Sequence, residues 1–236
     1  MSDVSRAQIV EDVVAANRIL AGEGVLDGFG HVSARDPRNT DRFLLSRSLA
    51  PALVTTDDIV VYDLDGNAAE GDTRKPYLER FIHAGIYCRR PDVMAVVHSH
   101  SPSVIPFAAS SVALRPIYHM ASFLGTHAPV FEIRERFGTT DMLVRSAAQA
   151  DALAEALGAS AVVLMRGHGF CSVGDSVPVA VFRAIYTEIN AALQRQAIDL
   201  GGSVTYLDEA EARLSDAVNR SVIERPWTLW KSRLRR

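Results

Sequence analysis

Val93-Met94-Ala95-Val96-Val97-His98-Ser99-His100 is an apolar run that turns polar at its end. A short run this rich in aliphatic residues, closed off by Pro91 and Pro102, predicts a buried strand. Side chains alternate faces along a strand, so His98 and His100, two residues apart, share one face. Two imidazoles on one face are close enough to bind a single ion, and imidazole suits Zn²⁺, Mn²⁺ and Fe²⁺ alike. Downstream, Ala161-Val162-Val163-Leu164-Met165 predicts a second buried strand, followed by Gly167-His168-Gly169. Flanking glycines let a backbone turn sharply and approach a bound group. If the two strands end on the same side of one sheet, His168 completes a three-histidine site with open positions, as a catalytic metal needs. Spacing alone leaves the blander readings open: a polar strand end for His98 and His100, and a surface turn for His168.

Around these strands the chain predicts helices over Ser5–Ala21, Tyr77–Arg89, Thr140–Leu157 and Val177–Leu200, with Thr140 or Asp141 as N-cap of the third. Shorter helices are expected after Pro102 and over Asp208–Val218. Gly28-Phe29-Gly30-His31-Val32-Ser33-Ala34-Arg35 reads as a glycine-rich turn entering a strand. Phe43–Ser46 and Ile59–Tyr62 read as further strands, and Asp65-Gly66 as a hairpin turn. The span from Leu114 to Phe137 is mixed. Strands flanked by helices without strict alternation, and no repeat or linker, predict one mixed α/β domain over residues 1–236.

Composition narrows the function. The chain has 236 residues with 25 Lys plus Arg against 28 Asp plus Glu, a net charge of −3, and 48% hydrophobic residues. That is enough to fill a core and not basic enough for a general nucleic-acid binder. No apolar run is long enough to span a bilayer. Met1–Arg6 lacks a basic and then apolar leader, and the basic end, Trp230–Arg236, reads as a solvated terminus. Cys88 and Cys171 form no CxxC pair; the expectation is two buried packing residues in a reducing cytoplasm.

Other candidate residues are weaker in isolation. Glu79 sits near a helix start, where a carboxylate is stabilised by the dipole, and is also the best acid/base candidate. A proton-transfer role calls for a raised pKa, which burial would supply. Arg47, in Leu45-Ser46-Arg47-Ser48, has the geometry to clamp a carboxylate by two parallel hydrogen bonds, although most arginines in such places are simply exposed. His31 either lines a pocket or makes a local hydrogen bond.

Taken in order, Gly30–Arg35, Glu79–His83, Ala95–His100 and Gly167–Gly169 resemble the class II aldolase/adducin family over nearly the whole chain. The resemblance implies a three-layer α/β/α sandwich around a mixed, mainly antiparallel sheet. It implies a homotetramer with active sites between subunits, to which Tyr118, His119 or Phe131 are candidates to cross. By matching position it makes His98, His100 and His168 the ligands of one divalent ion per subunit (Mn²⁺, Zn²⁺ or Fe²⁺), and Glu79 the acid/base residue or, in the empty enzyme, a fourth ligand. Sugar-phosphate aldolases of the family carry Asn where this chain has His31, a Thr-Pro-Ser-Gly-like phosphate loop at Leu45–Ser48, and two serines at Tyr77-Leu78. With that phosphate cradle altered, the sequence looks closest to the branch that decarboxylates hydroxylated aromatic or pyridine dicarboxylates, as in aromatic compound catabolism. On that reading His31, Ser46, Arg47 and Tyr77 bind a small carboxylated substrate. Alternatives are an aldolase, epimerase or dehydratase acting on a sugar phosphate or hydroxy acid, a non-haem iron oxygenase, and a non-enzymatic adducin-like interaction module.

Overall fold

The structure is a computed structural model that describes residues 5–69 and 71–234. Its strands are β1 (His31–Arg35), β2 (Arg42–Ser46), β3 (Ile59–Asp63), β4 (Ala95–Ser99), β5 (Val130–Phe131), β6 (Val162–Met165) and β7 (Gly169–Gly174). Its α-helices are α1 (Arg6–Gly22), α2 (Arg80–Arg89), α3 (Ile105–Ala108), α4 (Arg134–Phe137), α5 (Ala147–Leu157), α6 (Val177–Asp199), α7 (Glu209–Ser221) and α8 (Glu224–Arg233). The strands form one sheet in the order β3-β2-β1-β4-β7-β6-β5. Only the β5–β6 pair is parallel; every other neighbour is antiparallel. The expected three-layer sandwich is therefore present.

The strand quoted at the outset is the middle of the sheet, and every residue of β4 is buried. Alternation divides it between two cores. Ala95 and Val97 pack with α1, α6 and α8, while Val96 packs with α2 and α5. His98 follows Val96 onto the α2–α5 side, the side where Glu79 begins α2. The edge strand β3 instead alternates buried and half-buried residues, as a strand with one wet face should.

Two glycines let neighbouring strands close on the histidine end of β4. A side chain at Gly30 (φ +80°) would place its Cβ 2.8 Å from the carbonyl oxygen of His98. At Gly169 (φ +156°) the Cβ would lie 1.9 Å from the Ser99 carbonyl oxygen and 2.9 Å from the Cα of His100. Neither space admits a carbon atom, so both positions require glycine. The ligand-bearing strand is thus gripped from β1 and from β7 together.

Several sequence expectations need correction. The helix expected over Thr140–Leu157 starts only at Ala147, capped by Ser146, whose Oγ accepts from the Gln149 N–H. Residues 138–146 stay irregular, and Met142 takes a left-handed backbone (φ +71°). The helix expected from Tyr77 starts at Arg80, which leaves Glu79 at its N-cap. Strand β7 and helix α8 carried no recognised pattern. Trp230, expected in a solvated tail, is buried, and Lys231 bonds Asp12 of α1 at 3.0 Å; the first four and last two residues lie outside those described. Cys171 is buried as expected, but Cys88 is exposed, because it lies on the outer side of α2, away from Ile82, His83 and Ile86.

Candidate metal centre and its cavity

The turn between β6 and β7 carries His168 back over the end of β4. The condition set by the sequence is met, since both strands end on the same side. The rings of His98, His100 and His168 have centroids 4.9 Å apart in every pairing. His100 Nε2 lies 3.1 Å from His98 Nε2 and 3.1 Å from His168 Nε2. Glu79 Oε2 completes the group, 3.4 Å from His168 Nε2 and 3.7 Å from His98 Nε2. One ligand atom from each of the four residues falls within 4.8 Å of all the others. Nitrogens bound tetrahedrally at about 2.0–2.1 Å sit roughly 3.3 Å apart, close to the spacing found here.

The opposite ring nitrogens explain the orientation. His98 Nδ1 lies 3.2 Å from the Phe170 carbonyl oxygen, and His168 Nδ1 lies 3.0 Å from the Met142 carbonyl oxygen. A carbonyl can only accept, so each Nδ1 carries the hydrogen and each Nε2 turns a lone pair inward. Burial holds the His98 imidazole well below the usual histidine range, although Glu79 pulls the other way. Burial also lowers His100, with His168 adding to the effect. Inward lone pairs and an adjacent carboxylate make a donor set that fits a divalent cation, and these four residues could bind one.

Glu79 departs from its expected electrostatics. Burial does push its carboxyl upward, but the imidazoles of His168 and His98 beside it and the Val144 N–H outweigh that, leaving it at about 2. The Val144 N–H donates to Oε1 at 3.0 Å. The expectation of a raised pKa is therefore reversed, because burial here comes with donors. Nor does Glu79 cap its helix, since its side chain makes no capping bond. Sequence reasoning missed the Met142 carbonyl and the Val144 N–H altogether.

Beside the cluster lies a cavity of about 420 Å³, lined by Phe29, Gly30, His31, Ser48, Tyr77, Leu78, Glu79, His100 and Leu143. Of the substrate residues expected from sequence, His31 and Tyr77 are on its wall, with ring centroids 4.5 Å apart. Ser46 is buried behind it and donates to Tyr77 Oη at 3.4 Å. Arg47 does not line it; its Nε donates to Asp58 Oδ1 at 2.7 Å. The loop residue that does reach the wall is Ser48. Of the residues expected to cross between subunits, Phe131 is buried in its own core between α5 and β6, whereas His119 is exposed. A larger cavity, about 590 Å³, lies at the other end of β4 around Arg90, Asp92, Gly174 and Arg183, and none of the clustered histidines borders it. Size alone would choose that cavity; the convergence of ligand atoms chooses the smaller one.

Comparison with known proteins agrees with this architecture. The pattern of the Class II Aldolase and Adducin N-terminal domain matches residues 11–195, and the chain belongs to that family. It is 36% identical to the decarboxylase tropJ of Talaromyces stipitatus, covering 94% of this chain and 92% of that protein. It is 35% identical to a 3,4-dihydroxyphthalate decarboxylase of Arthrobacter keyseri, covering 91% of this chain and 89% of that protein. An aldolase II superfamily protein from Pseudomonas syringae shares the fold, with a TM-score of 0.81 at 22% identity, covering 98% of this chain and 93% of that one. Among the described residues no helix is long and apolar enough to cross a membrane.

Proposed function

We propose that the chain is a metal-dependent decarboxylase of a hydroxylated aromatic dicarboxylate, losing the carboxyl group next to the ring hydroxyl. The observation that carries this reading is a Glu79–His98–His100–His168 cluster opening onto a cavity walled by rings rather than by small hydroxyl donors. Similarity to two decarboxylases over nine-tenths of the chain supports it. Phe29 and Leu78 at the cavity are exposed apolar residues, which supports closure of the site by a second copy of the chain.

His98, His100 and His168 would hold the divalent ion, with Glu79 beside them. When bound, that ion supplies an electron sink for the charge that builds as the carbon–carbon bond breaks. His31 and Tyr77 form the wall on which a planar ring stacks. His31 binds the carboxylate that is retained. Arg47 adjoins Ser48 of the wall and is held through Nε by Asp58; turned toward the cavity, its guanidinium supplies the second contact. Such contacts fix orientation, a proximity effect. Glu79, kept ionised by its donors, is placed to take the proton of the substrate hydroxyl, whose own pKa a bound divalent ion would lower. The bond from ring carbon to carboxylate then breaks, its electron pair stays on the ring, and carbon dioxide leaves. Glu79 returns the proton to that ring carbon, and the oxyanion of the product takes one from water.

The test is carbon dioxide release from a panel of ortho-hydroxy aromatic dicarboxylates, with the protein loaded with Mn²⁺ or Zn²⁺. Release that is abolished by chelation is expected. No release from any member, combined with cleavage of a sugar phosphate, would overturn the reading.

A further inference from the structure

His31 is the cavity end of a buried chain of hydrogen bonds. His31 Nδ1 lies 2.6 Å from His83 Nε2. His83 Nδ1 lies 2.6 Å from Ser33 Oγ, and Ser33 Oγ lies 2.8 Å from Tyr87 Oη. His83, Ser33, Tyr87 and His31 are all buried. None of His83, Ser33 and Tyr87 touches the clustered ligand atoms. They come from β1 and α2, and Phe43 stacks against His83 from β2.

Each link could run in either direction, but counting hydrogens selects one. Suppose the chain ran inward. His31 Nδ1–H would donate to His83, His83 Nδ1–H to Ser33, and the Ser33 hydroxyl to Tyr87. The Tyr87 hydroxyl hydrogen would then have no acceptor, because the other group bonded to its oxygen, the Val96 N–H, can only donate. A buried hydroxyl left without an acceptor bears its full desolvation cost, which shifts such an equilibrium by about tenfold or more. Run outward, every hydrogen finds an acceptor. Tyr87 donates to Ser33, Ser33 to His83 Nδ1, and His83 Nε2–H to His31 Nδ1. Phenol is also a stronger acid than an aliphatic alcohol, so it is the better donor of the pair. Burial keeps His83 neutral, with its pKa down at about 3, so it has one hydrogen to give and one lone pair to offer.

We infer that His83, with Ser33 and Tyr87 behind it, is a positioning residue that locks His31 as the tautomer carrying its hydrogen on Nε2. His31 then faces the cavity as a fixed donor, matched to a carboxylate oxygen and mismatched to a donor such as an ammonium or amide N–H. The carboxylate assignment rests on the proposed decarboxylase reading; the tautomer does not. The sequence contained these residues, but their roles depend on β1 and α2 facing each other.

The test labels the histidine rings with ¹⁵N in the zinc-loaded protein and reads which nitrogen carries hydrogen. The expected spectrum has His31 protonated at Nε2 and His83 protonated at Nε2. Protonation of neutral His31 at Nδ1 would overturn the inference, whatever the activity. Two variants add an affinity measurement, with phthalate as the probe. His83→Gln can still donate from its amide to His31 Nδ1 and should keep phthalate affinity within about threefold. His83→Glu offers only an acceptor, should move hydrogen onto His31 Nδ1 and should weaken phthalate binding by about tenfold or more, the worth of one hydrogen bond to a charged group. Unchanged ring spectra and unchanged affinity in His83→Glu would also overturn it. Should the tautomer be as expected while no aromatic dicarboxylate is turned over, the positioning role stands and the decarboxylase reading falls.

Discussion

Acidifying the metal-free protein should destabilise it through His83 in a way one substitution can isolate. In the folded chain burial lowers the His83 pKa from 6.5 to about 3. Between those values the unfolded chain binds a proton at this position and the folded chain does not. Stability therefore falls as pH drops through 6.5, and the loss is complete only near the folded value. From about pH 7.5 to about pH 5.5 one such group costs about 1.4 kcal/mol, one unit below the unfolded value. For a chain of this size that is roughly 3–5 °C in Tm. His31 and His98 are also lowered by burial, so the wild-type loss is larger still and of the same sign. His83→Gln removes one proton site and keeps a donor toward His31. Denaturant unfolding of both proteins in chelator, at each pH, should show the variant losing about 1.4 kcal/mol less than wild type over that range. The carboxylates titrate alike in both and cancel. Parallel pH profiles would mean that His83 charges freely when folded, and would refute the buried neutral ring on which the argument depends.

Three further outcomes follow from the site and its supports. His100→Ala and His168→Ala should each weaken Zn²⁺ or Mn²⁺ binding by at least about a hundredfold in calorimetry, and retention of wild-type affinity in either would remove that ring from the metal centre. Gly169→Ala forces a carbon to within 1.9 Å of the Ser99 carbonyl oxygen, so the strands must part; a loss of about 3 kcal/mol or more, or failure to fold, is expected in urea titrations, and near-wild-type stability would show that β7 has room to move. Arg47→Ala should weaken aromatic dicarboxylate binding by about tenfold while leaving kcat within about twofold, and steady-state kinetics with unchanged KM would reject the clamp.

How far the sequence reaches is seen best by comparing β4 with the segment 138–146. The β4 run is legible because its apolar residues alternate between two cores and its histidines inherit that alternation. His168 is legible only together with that strand, because glycines on both sides mark a turn that a surface histidine would fit equally well. Glu79 was recognisable as a candidate, but its low pKa was not, since that depends on donors from elsewhere in the chain. From Thr140 onward the 138–146 loop reads as helix, because Thr140 or Asp141 satisfies helix-start chemistry. What it contributes is a carbonyl at Met142 and an N–H at Val144, and every residue type but proline carries both groups. Backbone donors and acceptors leave no mark on residue identity, so this half of the support was invisible. Arg47 shows the converse: the residue type suits a carboxylate, but its Nε pairing with Asp58 of the same chain has no signature in the sequence.

The left-handed turn at Met142 has a consequence of its own. Such a conformation costs a non-glycine residue on the order of 1–3 kcal/mol. Across three residues it presents a carbonyl to His168 Nδ1 and an amide hydrogen to Glu79 Oε1. The third imidazole and the carboxylate therefore share a single tether. A change that lets this tether relax would misalign both partners at once, so the centre should fail as a pair rather than one ligand at a time.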